Sequence, residues 1–233
     1  MSRVSIVVPT LDEGATIDAL LDALEPARDA GHEVILVDGG SRDDTTQRAR
    51  GRVDRLLQAP RGRASQMNRG AAAAGGDWLW FLHADSGLPN GVLPCLGGIA
   101  ASHRGWGRFD VRLDDDRPGF RIIERGMNWR SRLTGIATGD QGLFVRRAMF
   151  EEVGGFPEIP LMEDIALSRR LRRYQAPECL RLRLTTSARR WQRHGVLRTV
   201  LLMWGLRLAY FVGADPAWLA RRYRPCASPT RAS

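Results

Sequence analysis

Within the first 85 residues, apolar β-branched runs and helix-patterned runs alternate four times, and that rhythm leaves few folds open. "RVSIVVPT" reads as a strand, and Ile17, Leu20, Leu21 and Leu24 of the next segment fall at helical spacing. "HEVILVDGG" reads as a second buried strand, followed by "SRDDTTQRARG" as a short polar helix with Ser41 or Asp43 near its cap. "VDRLLQAP" is a weaker third strand. "RASQMNRGAAAAGG" is a helix closed by Gly75-Gly76, its alanines 71–74 packed closely on the sheet, and "DWLWFLHAD" is the fourth strand. Such a βαβ series predicts an α/β domain, a mostly parallel central sheet with helices on both faces.

Beyond residue 100 the pattern is less regular. "GWGRFDVRL" reads as a strand, "FRIIERGMNWRSRLTG" as a helix, "DQGLFVRR" as a strand and "LMEDIALSRRLRRYQ" as a helix. "CLRLRLTTS" alternates as an exposed strand does. No repeat is visible. We expect one domain over 1–190, an apolar helical extension over 191–224 and a flexible tail over 225–233. The extension contains "VLRTVLLMWGLRLAYFVGADPAWLA", apolar on all sides and broken by Arg198 and Arg207, so no uncharged run approaches the ~20 residues of a bilayer span. Two readings stay open for it: a helix packed on the domain, and a helix in peripheral contact with a membrane surface.

All 35 basic residues are arginine, against 26 acidic ones, for a net charge of +9. Without lysine there is no Walker A motif, no Schiff base and no Ser-Lys dyad. Arginine suits a bidentate grip on phosphate, but its even spread signals no nucleic-acid partner. Cys95, Cys179 and Cys226 are widely spaced with no CxxC pair, which fits a reducing compartment. The opening "MSRVSIVVPT" holds a short apolar run, below a signal peptide's apolar core. The expected location is cytoplasmic, at the inner face of the cell membrane if the C-terminal helix meets lipid.

In open α/β sheets, ligands bind beyond the carboxyl ends of the strands. Those ends read "PTLDE" (9–13), "VDGGSRDD" (37–44), "APRGRASQMN" (59–68) and "HADS" (83–86). Any one of them could be a helix cap. Together they converge on one rim, with carboxylates for ribose, base and metal and arginines for phosphate, which suits a nucleotide sugar. Asp85 ends its strand with a carboxylate available to Mn²⁺ or Mg²⁺, hard cations that combine one or two protein carboxylates with substrate phosphate oxygens. His83, two residues away, faces the same side if strand geometry continues. It is then a second ligand, direct or through water, or a partner of the neighbouring loop.

The order of these motifs resembles family 2 glycosyltransferases of the GT-A fold over roughly residues 3–190. "SIVVPTLDE" resembles the family's opening strand and nucleotide loop, and "VILVDGGSRDDT" its Asp-Asp-Gly-Ser-x-Asp-x-Thr segment. "WLWFLHAD" resembles the strand ending in Asp-x-Asp. "TGDQGLFVRR" resembles the strand before the acceptor site, and "MEDIALSRRL" the Glu-Asp motif with the catalytic base. The compact length, "LHAD" and "TSARRWQRHG" resemble a bacterial subgroup often found beside radical-SAM and selenium-related genes.

Three departures stand out. Gly39 replaces the second aspartate, which usually contacts the base, while Asp38 keeps the first position. His83 replaces the first aspartate of Asp-x-Asp, leaving Asp85 as the main metal ligand. Ser187-Ala188-Arg189-Arg190-Trp191 differs from the Gln-x-x-Arg-Trp of processive members, which also carry membrane spans.

The resemblance implies inverting sugar transfer from a nucleotide-diphosphate donor to an unidentified acceptor hydroxyl. The implied donor site comprises Pro9, Thr10, Asp12, Glu13, Asp38, Gly39, Ser41, Arg63, Gln66, Asn68, His83, Ala84 and Asp85. In it Arg63 and Arg61 meet phosphate or order their loop, and Gln66 and Asn68 bond sugar hydroxyls. Gly139, Asp140, Gln141 and Trp191 are implied on the acceptor side. Asp164 is implied as the base, with Glu163 positioning it; alone, this pair would read as acidic residues favouring a helix N-terminus. Trp191, Trp204, Tyr210, Phe211 and Trp218 are either ordinary core or the floor for a lipid or carotenoid-like acceptor. Two rivals stay open: a nucleotidyltransferase, whose Gly-rich signature and Pro-Lys pair are missing, and a non-catalytic anion-binding module that kept the fold.

Overall fold

A computed structural model describes residues 2–223. The expected tail over 225–233, with Cys226, lies outside the described residues. Seven strands form one sheet in the order β3-β2-β1-β4-β6-β5-β7. They are β1 (Val4–Thr10), β2 (Glu33–Asp38), β3 (Arg55–Gln58), β4 (Trp78–Phe81), β5 (Trp106–Leu113), β6 (Phe144–Arg146) and β7 (Glu178–Thr186). β1 to β4 run parallel. β6 enters antiparallel between β4 and β5, and β7 closes the far edge parallel to β5.

The sheet is covered on both faces because β1 presents apolar side chains to each of them. Val4, Ile6 and Val8 pack with Leu20, Leu21 and Leu24 of α1 (Ile17–Asp29) and with Leu96 and Ile99 of α4 (Val92–Ala100). Val7, from the same strand, packs on the opposite face with Ala64, Met67 and Ala71 of α3 (Arg63–Ala73) and Leu167 and Leu171 of α7 (Glu163–Leu171). α3 approaches the sheet closely at Gly70, one residue before the alanine run. A Cβ there would lie 2.3 Å from Val7 Cγ1. Of the alanines, Ala71 and Ala74 are buried and Ala72 is exposed.

From the end of β4 onward the structure departs from expectation in three places. α4 holds Pro94, Gly97 and Gly98, residues that weaken a helical reading, yet Val92, Cys95, Leu96 and Ile99 bury one face. "DQGLFVRR" forms a strand only over Phe144–Arg146. Gly139–Gln141 is a 3-10 turn before it, and α6 (Arg147–Glu152) starts at once after it. β4 stops at Phe81, so His83 and Asp85 stand in a turn closed by the Ser86 N–H donating to the His83 carbonyl at 3.0 Å. The alternation expected to place them side by side does not reach them.

One helix is built inside out. α5 (Pro118–Thr134) buries Phe120, Glu124, Asn128 and Ser131, while Ile122, Trp129 and Leu133 are each more than 60% exposed. The buried polar stripe has work to do. β5 lacks a strand partner on one side beyond its short pairing with β6, and α5 supplies one. Asn128 accepts from the Val111 N–H at 2.9 Å and donates to the Val111 carbonyl at 3.0 Å, and Glu124 accepts from the Leu113 N–H at 2.6 Å. Below them Arg108, fully buried, pairs with Asp110 and donates to the Asn128 carbonyl at 3.1 Å.

The C-terminal segment forms α8 (Arg189–His194), α9 (Val196–Phe211) and α10 (Pro216–Arg222). Leu206 of α9 and Leu219 of α10 pack with Ile136, Met162 and Ile165, so α9 lies against the start of α7. Leu201, Trp204, Leu208 and Phe211, on its other side, are all more than half exposed. Among the described residues no helix is long and apolar enough to cross a membrane.

Candidate active site

The rim beyond β1, β2 and β4 carries the carboxylates that the sequence places there, and the backbone shows how each is held. Asp38, the last residue of β2, accepts from the N–H groups of Gly40 and Ser41 at 3.0 Å and from the Ser41 hydroxyl. Ser41 Oγ in turn accepts from the Asp12 N–H at 2.9 Å, and Asp12 Oδ1 from the Arg42 N–H at 2.7 Å. The Glu13 N–H donates to Thr45 Oγ1 at 2.9 Å. The loops after β1 and β2 are thus laced into one collar, with Pro9 and Thr10 buried beneath it. Asp12 sits at a φ of 54°, in the left-handed region, a conformation that aspartate tolerates better than most residues.

Gln66 and Asn68 have other partners than those expected for sugar-binding groups. Gln66, 3% exposed, donates to the carbonyls of Thr10 and Val37 at 2.7 and 2.8 Å, stapling β1 to β2. Its amide also fills the space above Gly39, where a Cβ would lie 3.1 Å from it. That packing is a physical reason for glycine at the position where the family pattern has aspartate. Asn68 pairs both ways with the Phe156 backbone, donating at 2.8 Å and accepting at 3.0 Å. Both amides therefore hold the fold.

A narrow crevice opens next to this collar, lined by Met67, Phe81, His83, Gly139, Leu143, Phe156, Glu163 and Asp164. Glu163 and Asp164 form the first turn of α7, whose N-cap, Met162, has a φ of 71°. Asp164 accepts from the Gly139 N–H at 2.8 Å and from the Ile165 N–H at 2.7 Å. Glu163 is buried, and desolvation, reinforced by Asp164, pushes its carboxyl up to about 7 against the pull of Arg63. Arg63 keeps an exposed side chain; partial desolvation opposes its charge, yet Glu163, Tyr223, Asp140 and Asp164 hold its guanidinium above the ordinary arginine value. Gly139, Asp140 and Gln141 are one 3-10 turn. Gln141 is wholly buried and spends its side chain on the Thr138 N–H at 3.2 Å, so it supports the turn and does not face the crevice.

His83 and Asp85 part company. His83 is 9% exposed, with Nδ1 3.7 Å from Asp140 Oδ1 and Nε2 packed against Gly139. Burial, then Arg63, lowers its pKa, so the ring is neutral at pH 7. Asp85 is exposed and makes no hydrogen bond or ion pair among the described residues. No group of three His, Cys, Asp or Glu side chains among those residues could hold a metal. A free carboxylate of this kind fits a cation that arrives with phosphate oxygens, not one caged by protein. Trp191 lies elsewhere, packed against Leu113, Phe120 and Ile123.

With that geometry in place, the chain was compared with known proteins. The model of glycosyl transferase family 2 matches residues 5–154. The chain belongs to this family. Similar proteins include a PGL/p-HBAD biosynthesis glycosyltransferase of Mycobacterium bovis, 38% identical over 91 aligned residues, with 36% of each chain covered. A glucosyl-3-phosphoglycerate synthase of Mycobacterium tuberculosis is 33% identical over 92 residues, 35% of this chain and 28% of that one. The matches thus span about a third of these relatives. Among solved structures, S. aureus TarS superposes with a TM-score of 0.65 at 19% identity, covering 79% of this chain and 36% of TarS. The M. tuberculosis synthase in complex with Mn²⁺, UDP and glucosyl-3-phosphoglycerate gives 0.59 at 22% identity, over 78% and 70%. These likenesses establish the GT-A fold.

Two arginines near Asp164, outside the lining of the crevice, escaped the sequence reading as site residues. Arg130 of α5 and Arg207 of α9 both lie within electrostatic range of Asp140 and Asp164. An arginine amid the apolar run of α9 was the visible signal for the second; Arg130, in a segment rich in arginine, had none.

Proposed function

We propose that this family 2 chain transfers a sugar, with inversion, from a nucleoside-diphosphate donor to an acceptor hydroxyl at the crevice beneath Asp164. The observation that carries the reading is the placement of Asp164. It lies in the first turn of α7, is fixed by the Gly139 N–H, and lines the same crevice as His83, two residues from the free carboxylate of Asp85. The Mn²⁺ and UDP named with the M. tuberculosis synthase, and the UDP and UDP-GlcNAc named with TarS, support a uridine nucleotide as the donor class.

In this reading the collar of Asp12, Glu13, Asp38 and Ser41, with Pro9, Thr10 and Gly39 beneath it, cradles the nucleoside. Asp85, at the turn with His83 and Ala84, would hold Mn²⁺ or Mg²⁺, which neutralises the departing diphosphate when bound. Arg63 adds a fixed positive charge on the same side. Asp164 takes the proton of the acceptor hydroxyl. Its carboxylate keeps a lone pair for this while two backbone N–H groups hold its orientation. Glu163, desolvated and protonated well above the usual carboxylate range, spares Asp164 a second negative charge alongside it. Gly139 and Asp140 border the acceptor side.

The outward apolar side of α9, with Trp204 and Phe211, supports contact with a membrane surface at the cytoplasmic face and an acceptor of lipid or carotenoid-like character. The test is a thermal-shift titration with UDP-, GDP-, dTDP- and CDP-linked sugars, each with and without Mn²⁺. A metal-dependent rise with one nucleotide supports the reading and names the base. No rise with any of them at saturating ligand returns the chain to the non-catalytic alternative.

A further inference from the structure

Arg130 and Arg207 have no place in the donor arrangement, yet the fold brings them together beside Asp164. Ile136, just past α5, packs with Ile165 of α7 and Leu206 of α9 in one apolar cluster. Asp164 precedes Ile165 and Arg207 follows Leu206, so both stand at the edge of that contact. Neither guanidinium makes an ion pair or a hydrogen bond among the described residues, and Arg130 Nη2 is buried with no partner. Burial and the charge of Arg207 bring Arg130 down to about 10, and burial lowers Arg207 as well. Two like charges drawn partly out of water side by side, with Asp140 and Asp164 in range but paired to neither, are a cost that packing alone does not explain. α9 sharpens the point. It turns Arg207 toward Asp164 while its neighbour Leu208 is 66% exposed, the reverse of what a helix selected only for burial would do.

We propose that Arg130 and Arg207 form an oxyanion subsite that takes a phosphate or carboxylate group of the acceptor beside Asp164. The proposal rests on the donor reading above, in which Asp85 and Arg63 serve the diphosphate and leave this pair to the acceptor. The planar fork of each guanidinium can pair with two oxygens of such an anion, and two forks can grip it from two sides. The bound anion supplies the direct partner that the guanidinium groups lack and fixes the acceptor hydroxyl near the Asp164 carboxylate.

The experiment titrates the full chain with inorganic phosphate and with glycerol phosphate at constant ionic strength set by chloride. It is read by melting temperature and calorimetry, with UDP and Mn²⁺ saturating. Wild type is expected to bind both phosphates and to melt higher. The double variant Arg130→Met, Arg207→Met is expected to bind them at least tenfold more weakly, with UDP affinity unchanged and a ligand-free melting point no lower than wild type. Phosphate that displaces UDP would assign the arginines to the donor diphosphate and overturn the proposal. A phosphate effect no larger than that of chloride, or one that survives in the double variant, also overturns it. If UDP and Mn²⁺ fail to bind, the donor reading falls, and the same titration on the ligand-free protein still decides the subsite. Vesicles of phosphatidylglycerol separate the sources. Retention lost in the double variant assigns the anion to a lipid headgroup, and glycerol phosphate binding without retention assigns it to a soluble phosphate ester.

Discussion

The Gly139 N–H donates to Asp164 Oδ2 at 2.8 Å, tying the turn before β6 to the first turn of α7 across 25 residues of chain. The bond couples the acceptor side of the crevice to the proposed base, and it decides which substitution reports on chemistry alone. Asparagine at 164 keeps an oxygen for the Gly139 N–H, gives up only the local bond from the Ile165 N–H, and has no basic lone pair for a hydroxyl proton. Asp164→Asn should therefore fold and bind donor as wild type does while turnover falls by ~10²-fold or more. Turnover is measured by transfer or donor hydrolysis, and a rate within a few-fold of wild type would remove Asp164 from the role.

The same turn has no room for a side chain. A Cβ on Gly139 would lie 2.5 Å from His83 Nε2, and His83 is packed in place. Gly139→Ala should lower stability by about 1–3 kcal/mol through overpacking. In a His83→Ala background, where the ring is gone, most of that loss should disappear. Denaturant melts of the four proteins in the cycle give the coupling, and purely additive losses would show that the contact is not the cause.

The first 80 residues were legible because each strand there is a dense apolar run and each turn ends in small or acidic residues. That local chemistry located β1 to β4 and the rim carrying Asp38 and Asp85. What was hidden depended on partners distant in sequence. Gln66 and Asn68 look like ligand-binding amides until Thr10, Val37 and Phe156 are seen to use them. α4 hid behind Pro94 and two glycines, since burial against β1 outweighs its poor propensity. The helix α5 was legible but its buried face was not, because Glu124 and Asn128 point inward to bond β5, a role that only the distant strand reveals.

Glu163 makes stability depend on pH in a definite direction. Its carboxyl titrates near 7 in the folded chain, against 4.5 ordinarily, so the folded state binds the proton more tightly. The stabilisation is complete below pH 4.5 and is lost as pH rises through 7. Every tenfold gain in proton affinity corresponds to ~1.4 kcal/mol, so the loss is on the order of 3 kcal/mol. Glu163→Gln should flatten that slope. Melting curves from pH 4.5 to 8 check it, and parallel profiles for the two proteins would exclude Glu163 as the source.

Asp85 separates ligand binding from folding cleanly. It is exposed and bonded to nothing in the described chain, so Asp85→Asn should change metal-free stability by no more than about 0.5 kcal/mol. The same substitution should remove the Mn²⁺-dependent part of UDP binding. Calorimetric titration of UDP with Mn²⁺ and with EDTA measures that part, and an unchanged difference would move the cation elsewhere.

Asn128 tests the idea that α5 substitutes for a missing strand. On β5, Val111 finds its second pair of hydrogen bonds in the Asn128 side chain, which accepts at 2.9 Å and donates at 3.0 Å. Alanine there strands a buried N–H and a buried carbonyl, each costing ~1–3 kcal/mol when unpaired. Asn128→Ala should thus cost about 2–4 kcal/mol, well above the effect of Trp129→Ala on the exposed side of the same helix. Because β5 pairs with β7 along its other edge, the damage should spread to that edge. Hydrogen exchange should quicken first at Val111 and Leu113 and then along Leu184–Thr186. Loss of protection confined to α5 would mean that β5 holds its register without the helix.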